Sequence, residues 1–194
     1  CQVFRDDLRD AVGEEQFGVV RKAGCEVVHK CVTALTDADH SRLVLAFDCS
    51  NAFNTIPRSR VQSATADRLP ALATTAAEWL CGSVCHYYWD SDGESHQVMA
   101  SNGVDQGCPL SPALFALGIA DTLKAIKVRL RALSPDAHVF AYLDDVMVVV
   151  PSAHAEKARL IVVEELTKTG LAVNQDKTQA WTRDPQTPLP PEVN

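Results

Sequence analysis

The sequence predicts an α+β fold, an antiparallel sheet with helices packed on one face. Three observations lead there. Short apolar runs of strand length are bounded by turn residues. Longer segments repeat their apolar residues at helical spacing. The elements follow the order helix, strand, helices, hairpin, helix, hairpin, helix, strand.

The elements can be justified in turn. Residues 1–16 are polar and weakly patterned and read as the tail of something upstream. Cys25, Val28, Cys31, Val32 and Leu35 recur at helical spacing and predict a helix over 21–36. A polar loop over 36–41 leads into a continuous apolar run, 43–47, which reads as a buried strand ending at Asp48. Residues 49–54 are turn-like. Helices over 58–69 and 71–80 follow, with Pro57 and Pro70 at their starts. Strands over 84–89 and 95–100 flank Asp90-Ser91-Asp92-Gly93, a hairpin signal.

A long apolar-rich helix begins near Ser111 and runs to about 133, where Ser134-Pro135 ends it. Two apolar strands, 139–143 and 146–150, are separated only by Asp144-Asp145. An amphipathic helix over 155–168 is capped by Gly170. Residues 171–173 and 179–182 read as a final strand pair, and 184–194 as a loose proline-rich tail.

Composition bounds the function. Hydrophobic residues make up 46% of the 194, enough to bury a core, which excludes disorder as the main state. No apolar stretch approaches the roughly 18–20 residues of a membrane helix. There is no secretory signal pattern and no initiator Met, so the chain reads as a fragment or excised domain. Seven cysteines, an odd and dispersed set, favour a reducing, intracellular setting. Cys81, Cys85 and His86 cluster but lack a second ligand pair at zinc spacing, and read as packed or idle side chains. The net charge of −7 argues against a free-standing nucleic-acid binder.

Three carboxylates stand out. Asp48 ends a buried strand, and Asp144 and Asp145 interrupt two apolar strands. Adjacent acids against an apolar sheet cost free energy unless cations compensate. Mg²⁺ suits such hard oxygen ligands, and two ions can stabilise both oxygens of a phosphoryl transfer. Taken alone, Asp144-Asp145 also fits a solvated turn and Asp48 a strand-end cap.

Their company decides between these readings. Ala46-Phe47-Asp48-Cys49-Ser50-Asn51-Ala52-Phe53-Asn54-Thr55-Ile56 resembles the first catalytic motif of reverse transcriptases. Asn102-Gly103-Val104-Asp105-Gln106-Gly107-Cys108-Pro109-Leu110-Ser111-Pro112 resembles their Gln-Gly motif, and Phe140-Ala141-Tyr142-Leu143-Asp144-Asp145 their Tyr-x-Asp-Asp motif. Gly170-Leu171-Ala172-Val173-Asn174-Gln175-Asp176-Lys177-Thr178 resembles the motif that follows. The four stand in the family's order over 46–178. Glu15-Gln16-Phe17-Gly18-Val19 is similar to the Gln-Phe-Gly segment of non-long-terminal-repeat retrotransposons, and the Ser-Asn-Ala-Phe-Asn-Thr and Lys-Thr-Gln-Ala-Trp wording to elements of trypanosomatid type.

The resemblance implies a polymerase palm over 41–183, a partial fingers segment or linker over 1–40, and the tail over 184–194. It implies an RNA-directed DNA polymerase that adds deoxynucleotides to a primer 3′-hydroxyl on an RNA template, in the nucleus. Asp48 and Asp144 would hold two Mg²⁺ ions, or Mn²⁺ in their place, with Asp145 and the main-chain carbonyl of Cys49 beside them. Asn51 and Ala52 would offer main-chain N–H groups to the triphosphate. Phe53 would stack under the sugar and exclude a 2′-hydroxyl; a core aromatic is the plainer reading. Gln106 and Gly107 would border the nucleotide pocket, and Tyr142 would support the primer end. Lys177 would donate a proton to pyrophosphate, against the plainer reading of a surface lysine.

The family's basic fingers and its thumb are expected outside this chain, which would account for the acidic balance. Two alternatives remain: a catalytically silent remnant, and the palm of an RNA-dependent RNA polymerase. The second usually has Gly before the acid pair, where this chain has Leu143.

Overall fold

The computed structural model describes residues 4–190. Its elements run α1 (Arg5–Val12), α2 (Gly24–Ala38), β1 (Arg42–Phe47), α3 (Ala52–Thr55), α4 (Arg58–Arg68), α5 (Pro70–Trp79), β2 (Val84–Trp89), β3 (Ser95–Ala100), α6 (Ser111–Leu133), β4 (His138–Tyr142), β5 (Asp145–Pro151), α7 (Ala155–Lys168) and β6 (Gln179–Thr182). Four strands form one sheet in the order β4-β5-β1-β6, every neighbour antiparallel. Strands β2 and β3 form a separate hairpin.

Alternation along β1 explains the layers. Leu43, Leu45 and Phe47 face one way, with Val146, Val148 and Val150 of β5. They bury against Phe115, Ile119, Leu123 and Ile126 of α6 and Ala158, Val162 and Leu166 of α7. The intervening Val44 joins Val149 and Phe140 on the opposite face. There Val28 of α2 completes a second cluster, with Cys31, Val32 and Leu35 packed around it. The α+β class with an antiparallel sheet and helices on one face therefore holds, and α2 adds cover on the other. The helix α6 is buried nearly all round, because α1 packs on it as well.

Some local expectations change. Within 1–16, residues 5–12 form α1, whose Leu8, Ala11 and Val12 are buried against Ala113, Ala116 and Leu117. Spacing of i, i+3, i+4 is visible there, but five charged residues within 5–12 obscure it. Residues 1–3 lie outside the described residues. The predicted pairing of 171–173 with 179–182 does not form: β6 pairs with β1, and Val173 bridges Cys49. The loop between β4 and β5 is Leu143-Asp144 rather than Asp144-Asp145, since Asp145 already pairs with Tyr142. Asp184 accepts hydrogen bonds from the Gln186 amide and the Thr187 hydroxyl, forming a turn in the proline-rich segment, whose residues 191–194 lie outside the described residues.

Among the described residues no helix is long and apolar enough to cross a membrane. Their six cysteines, Cys25, Cys31, Cys49, Cys81, Cys85 and Cys108, are free thiols.

Candidate active site

The site lies where β1 ends and the β4–β5 hairpin turns. Phe47 pairs with Val146, so one further step in that antiparallel register sets Asp48 across from Asp145. Like charges facing each other across strands are destabilising. Asp144 stands beside them in the two-residue loop. The other loop residue, Leu143, has φ +57°, a conformation that costs a side-chain-bearing residue about 1–2 kcal/mol. Two-residue hairpins normally use glycine for such angles.

Burial and mutual repulsion govern the carboxylates. Burial pushes the Asp144 carboxyl above its ordinary value; its own backbone amide opposes this, and the Asp48 charge reinforces it. Burial also raises the Asp145 carboxyl, as do the Asp144 and Asp48 charges, while Lys177 pulls it back down. The neighbouring Cys49 thiol is pushed up to about 12, first by burial and then by Asp144, Asp48 and Asp145. All three carboxylates thus act on one buried atom.

Lys177 reaches this cluster through a backbone splice. The Asn174 amide donates to the Asp48 carbonyl at 2.8 Å, and the Ser50 amide donates to the Ala172 carbonyl at 2.8 Å. Asn174 then caps a short turn, its side-chain oxygen accepting from the Asp176 amide. This leaves Lys177 Nζ 3.4 Å from Asp48 Oδ2. The lysine side chain is 65% exposed, so the contact contributes little to stability and its ammonium remains open to solvent. An open cleft of about 440 Å³ passes Asp48, Asp145, Met147, Asp176, Lys177 and Gln179.

The donor set fits a divalent cation. Among the described residues, no three His, Cys, Asp or Glu side chains form a preformed metal cage. Mg²⁺ does not require one, since it usually binds through one or two carboxylates and completes its shell with phosphate and water. Here three carboxylates lie near enough for the Asp48 charge to act on both Asp144 and Asp145, with burial raising those two and only Lys177 opposing that rise at Asp145.

The expected nucleotide-side residues follow directly. Asn51 adopts φ +55°, which asparagine tolerates better than most residues, and its side chain accepts from Asn54. Ala52 is buried at the start of α3. The Phe53 ring stacks on Phe115 with centroids 4.5 Å apart and planes 8° apart. Phe53 is only partly buried and packs against the main core, as the plainer reading expects. Gln106 and Gly107 are exposed, and Gly107 needs its glycine for φ +90°, with no chain atom near where a Cβ would sit. Tyr142 is partly exposed at the end of β4.

The structure adds residues that sequence reasoning assigned no role. Gly103 donates its amide to the Ile56 carbonyl at 2.9 Å, and the Val104 amide donates to the Phe53 carbonyl at 2.7 Å. These bonds fasten the Gln-Gly segment to the turn after Asp48. Arg58 reinforces them by donating to the Gly103 carbonyl at 2.9 Å. Gln16 is fully buried and bonds the main chain of Leu143. For Gln16, Gly103 and Val104 the only sequence signal is membership in quoted motifs, and Arg58 lies outside them; a left-handed φ and a partner 127 positions away leave no local pattern.

Comparison with known proteins agrees with this geometry. A family model described as "Reverse transcriptase (RNA-dependent DNA polymerase)" matches residues 2–189. The "Retrotransposable element SLACS 132 kDa protein" of Trypanosoma brucei gambiense is 31% identical over 134 residues, which is 68% of this chain and 11% of that protein. Telomerase from Candida albicans, in complex with a TWJ fragment of telomeric RNA, superposes with a TM-score of 0.70 at 14% identity, covering 97% of this chain and 36% of that one. Apo telomerase from Candida tropicalis gives 0.68 at 12% identity, covering 96% of this chain and 36% of that one. The chain therefore spans a minor part of each relative, and the telomerase likeness is one of fold.

Proposed function

Because the chain belongs to the reverse transcriptase (RNA-dependent DNA polymerase) family, we propose that it is the palm, over 41–183, of a retrotransposon polymerase that copies RNA into DNA. The observation carrying this reading is the meeting of Asp48 with Asp144 and Asp145 at adjoining strand ends, beside Lys177. The substrates are an RNA template, a DNA primer and deoxynucleoside triphosphates, and the place of work is the nucleus. Residues 1–40 lead from the fingers, and 184–194 leave the palm.

Asp48 and Asp144 would hold two Mg²⁺ ions, with Asp145 and the Cys49 carbonyl beside them, and Mn²⁺ would substitute. Such ions lower the pKa of a primer hydroxyl and offset charge on departing pyrophosphate. Asn51 and Ala52 present main-chain N–H groups to the triphosphate. Phe53, whose ring stacks on Phe115, would exclude a ribose 2′-hydroxyl. Gln106 and Gly107 line the base side, and Tyr142 supports the primer end. Lys177, whose side chain is exposed beside Asp48, would protonate the leaving pyrophosphate oxygen.

The test is primer extension on an RNA template with Mg²⁺ and deoxynucleotides, using the longest polypeptide that carries this sequence. Asp144→Asn should abolish extension. Undiminished extension by that variant, or preference for ribonucleotides in the unaltered protein, overturns the reading.

A further inference from the structure

The Gln16 side chain is fully buried, yet its hydrogen bonds run to a loop 127 residues later. Its Oε1 accepts from the Leu143 amide at 2.8 Å and from the Gly18 amide at 2.9 Å. Its Nε2 donates to the Leu143 carbonyl at 3.3 Å. One carboxamide thus holds both polar main-chain atoms of a single residue. That residue has left-handed φ and immediately precedes Asp144.

The carboxamide is itself held firmly. The Phe17 amide donates to the Ala141 carbonyl at 2.7 Å and the Ala141 amide to the Glu15 carbonyl at 2.8 Å, laying residues 15–17 along the outer edge of β4. Arg21 donates to the Gln16 carbonyl at 2.9 Å and stacks over the Phe17 ring at 4.7 Å. Lys127 pairs with Glu15 at 2.8 Å. Gly18 leaves the required space: a Cβ there would sit 2.6 Å from the Leu143 nitrogen and 2.8 Å from its Cγ.

We infer that Gln16 is a positioning residue for the catalytic hairpin: its carboxamide pins Leu143 in the left-handed conformation and thereby sets Asp144 and Asp145 against Asp48. This rests on the proposed metal-binding role of those three carboxylates. Leucine does not hold such a φ unaided, and a two-residue hairpin without this clamp would relax toward angles that leucine prefers. The carboxylates would then turn away from a shared cation. Outer partners that orient metal ligands affect affinity without touching the metal.

The test is Mn²⁺ binding by this chain, measured by electron paramagnetic resonance of the free ion, with circular dichroism and thermal melting on each variant. Asp144→Asn is the control for the metal reading. Gln16→Met, which keeps the volume and removes the hydrogen bonds, should weaken Mn²⁺ binding about tenfold with unchanged helix content. Leu143→Gly should bind as the unaltered chain does, and adding it to Gln16→Met should recover most of the loss, because glycine needs no clamp at that φ. If Gln16→Met does not fold, Gln16→Asn, one methylene too short to reach Leu143, takes its place.

A variant at Gln16 that melts earlier but binds Mn²⁺ within about twofold of the unaltered chain overturns the inference, since Gln16 is then structural only. So does a double variant that recovers nothing. If the unaltered chain binds no Mn²⁺, or Asp144→Asn binds as well as it does, the metal reading itself fails and the inference falls with it.

Discussion

Gly103→Ala separates two costs that the structure assigns to neighbouring glycines. Gly103 and Gly107 both have positive φ, +77° and +90°. An added Cβ at Gly103 would stand 2.4 Å from the carbonyl carbon and oxygen of Asn54 and 2.5 Å from its Cα, all backbone. At Gly107 it would meet nothing within 4 Å. Each substitution costs about 1–2 kcal/mol for the left-handed angle. Each also gains about 0.4–1 kcal/mol, because alanine restricts the unfolded chain more than glycine does. Gly107→Ala should therefore destabilise by about 0–1.6 kcal/mol. Gly103→Ala carries an additional overpacking cost of about 1–3 kcal/mol, for a total of about 1–4.6 kcal/mol.

Urea unfolding at matched m-values reads the difference directly. With an m of about 2 kcal/mol/M, the Gly107→Ala midpoint should fall by about 0–0.8 M and the Gly103→Ala midpoint by about 0.5–1.5 M more than that. The Gly103 amide bond to Ile56 and the Val104 bond to Phe53 should loosen as well, so the apparent KM for deoxynucleotide should rise in Gly103→Ala. Midpoints within about 0.25 M of each other would refute the argument, because they would mean that the Asn54 backbone moves aside freely.

Other outcomes follow from the same site. The folded chain raises the Asp144 and Asp145 carboxyls above their ordinary value, so it binds protons more readily than the unfolded chain just above that value. Metal-free stability should then fall as pH rises through that window, and Asp144→Asn should melt higher than the unaltered chain at neutral pH without metal; a lower melting temperature contradicts this. Mg²⁺ at ten times its dissociation constant should add about 1.4 kcal/mol of stability, reversed by chelation, and a melting curve indifferent to Mg²⁺ argues against binding. Phe53→Val should lower discrimination against ribonucleotides about tenfold or more and also reduce stability, since the ring leaves Phe115; incorporation ratios that do not change count against the gate. Iodoacetamide should label the exposed Cys25 and Cys81 in the native chain and spare Cys49, whose buried thiol is pushed up to about 12; native labelling of Cys49, read by peptide mass, refutes its burial.

Much of this fold is legible locally. β2 and β3 occupy the spans that the hairpin signal predicts and α7 the span of its amphipathic pattern, and Pro70 marks the start of α5, because periodicity and turn chemistry act over a few positions. The carboxylates are legible because acids flanked by apolar strands stand out in any window. The helix α1 is less so: Leu8, Ala11 and Val12 are sparse among charges, and only their contact with α6 selects the helix. The segment 171–173 looks like a strand by composition, yet its bonds go to the turn after Asp48 rather than to β6.

The sequence by itself determined the order of the elements from α2 to α7, the family and the chemical character of the site, since each rests on short-range pattern and side-chain type. Only the tertiary structure decided that α2 covers the second face of the sheet, that Gly103 closes on Asn54, and that Gln16 holds Leu143. The physical reason is the same in each case. A left-handed φ on leucine, a missing Cβ against backbone and a buried carboxamide are favourable only with one distant partner in place, and the packed chain alone supplies that partner.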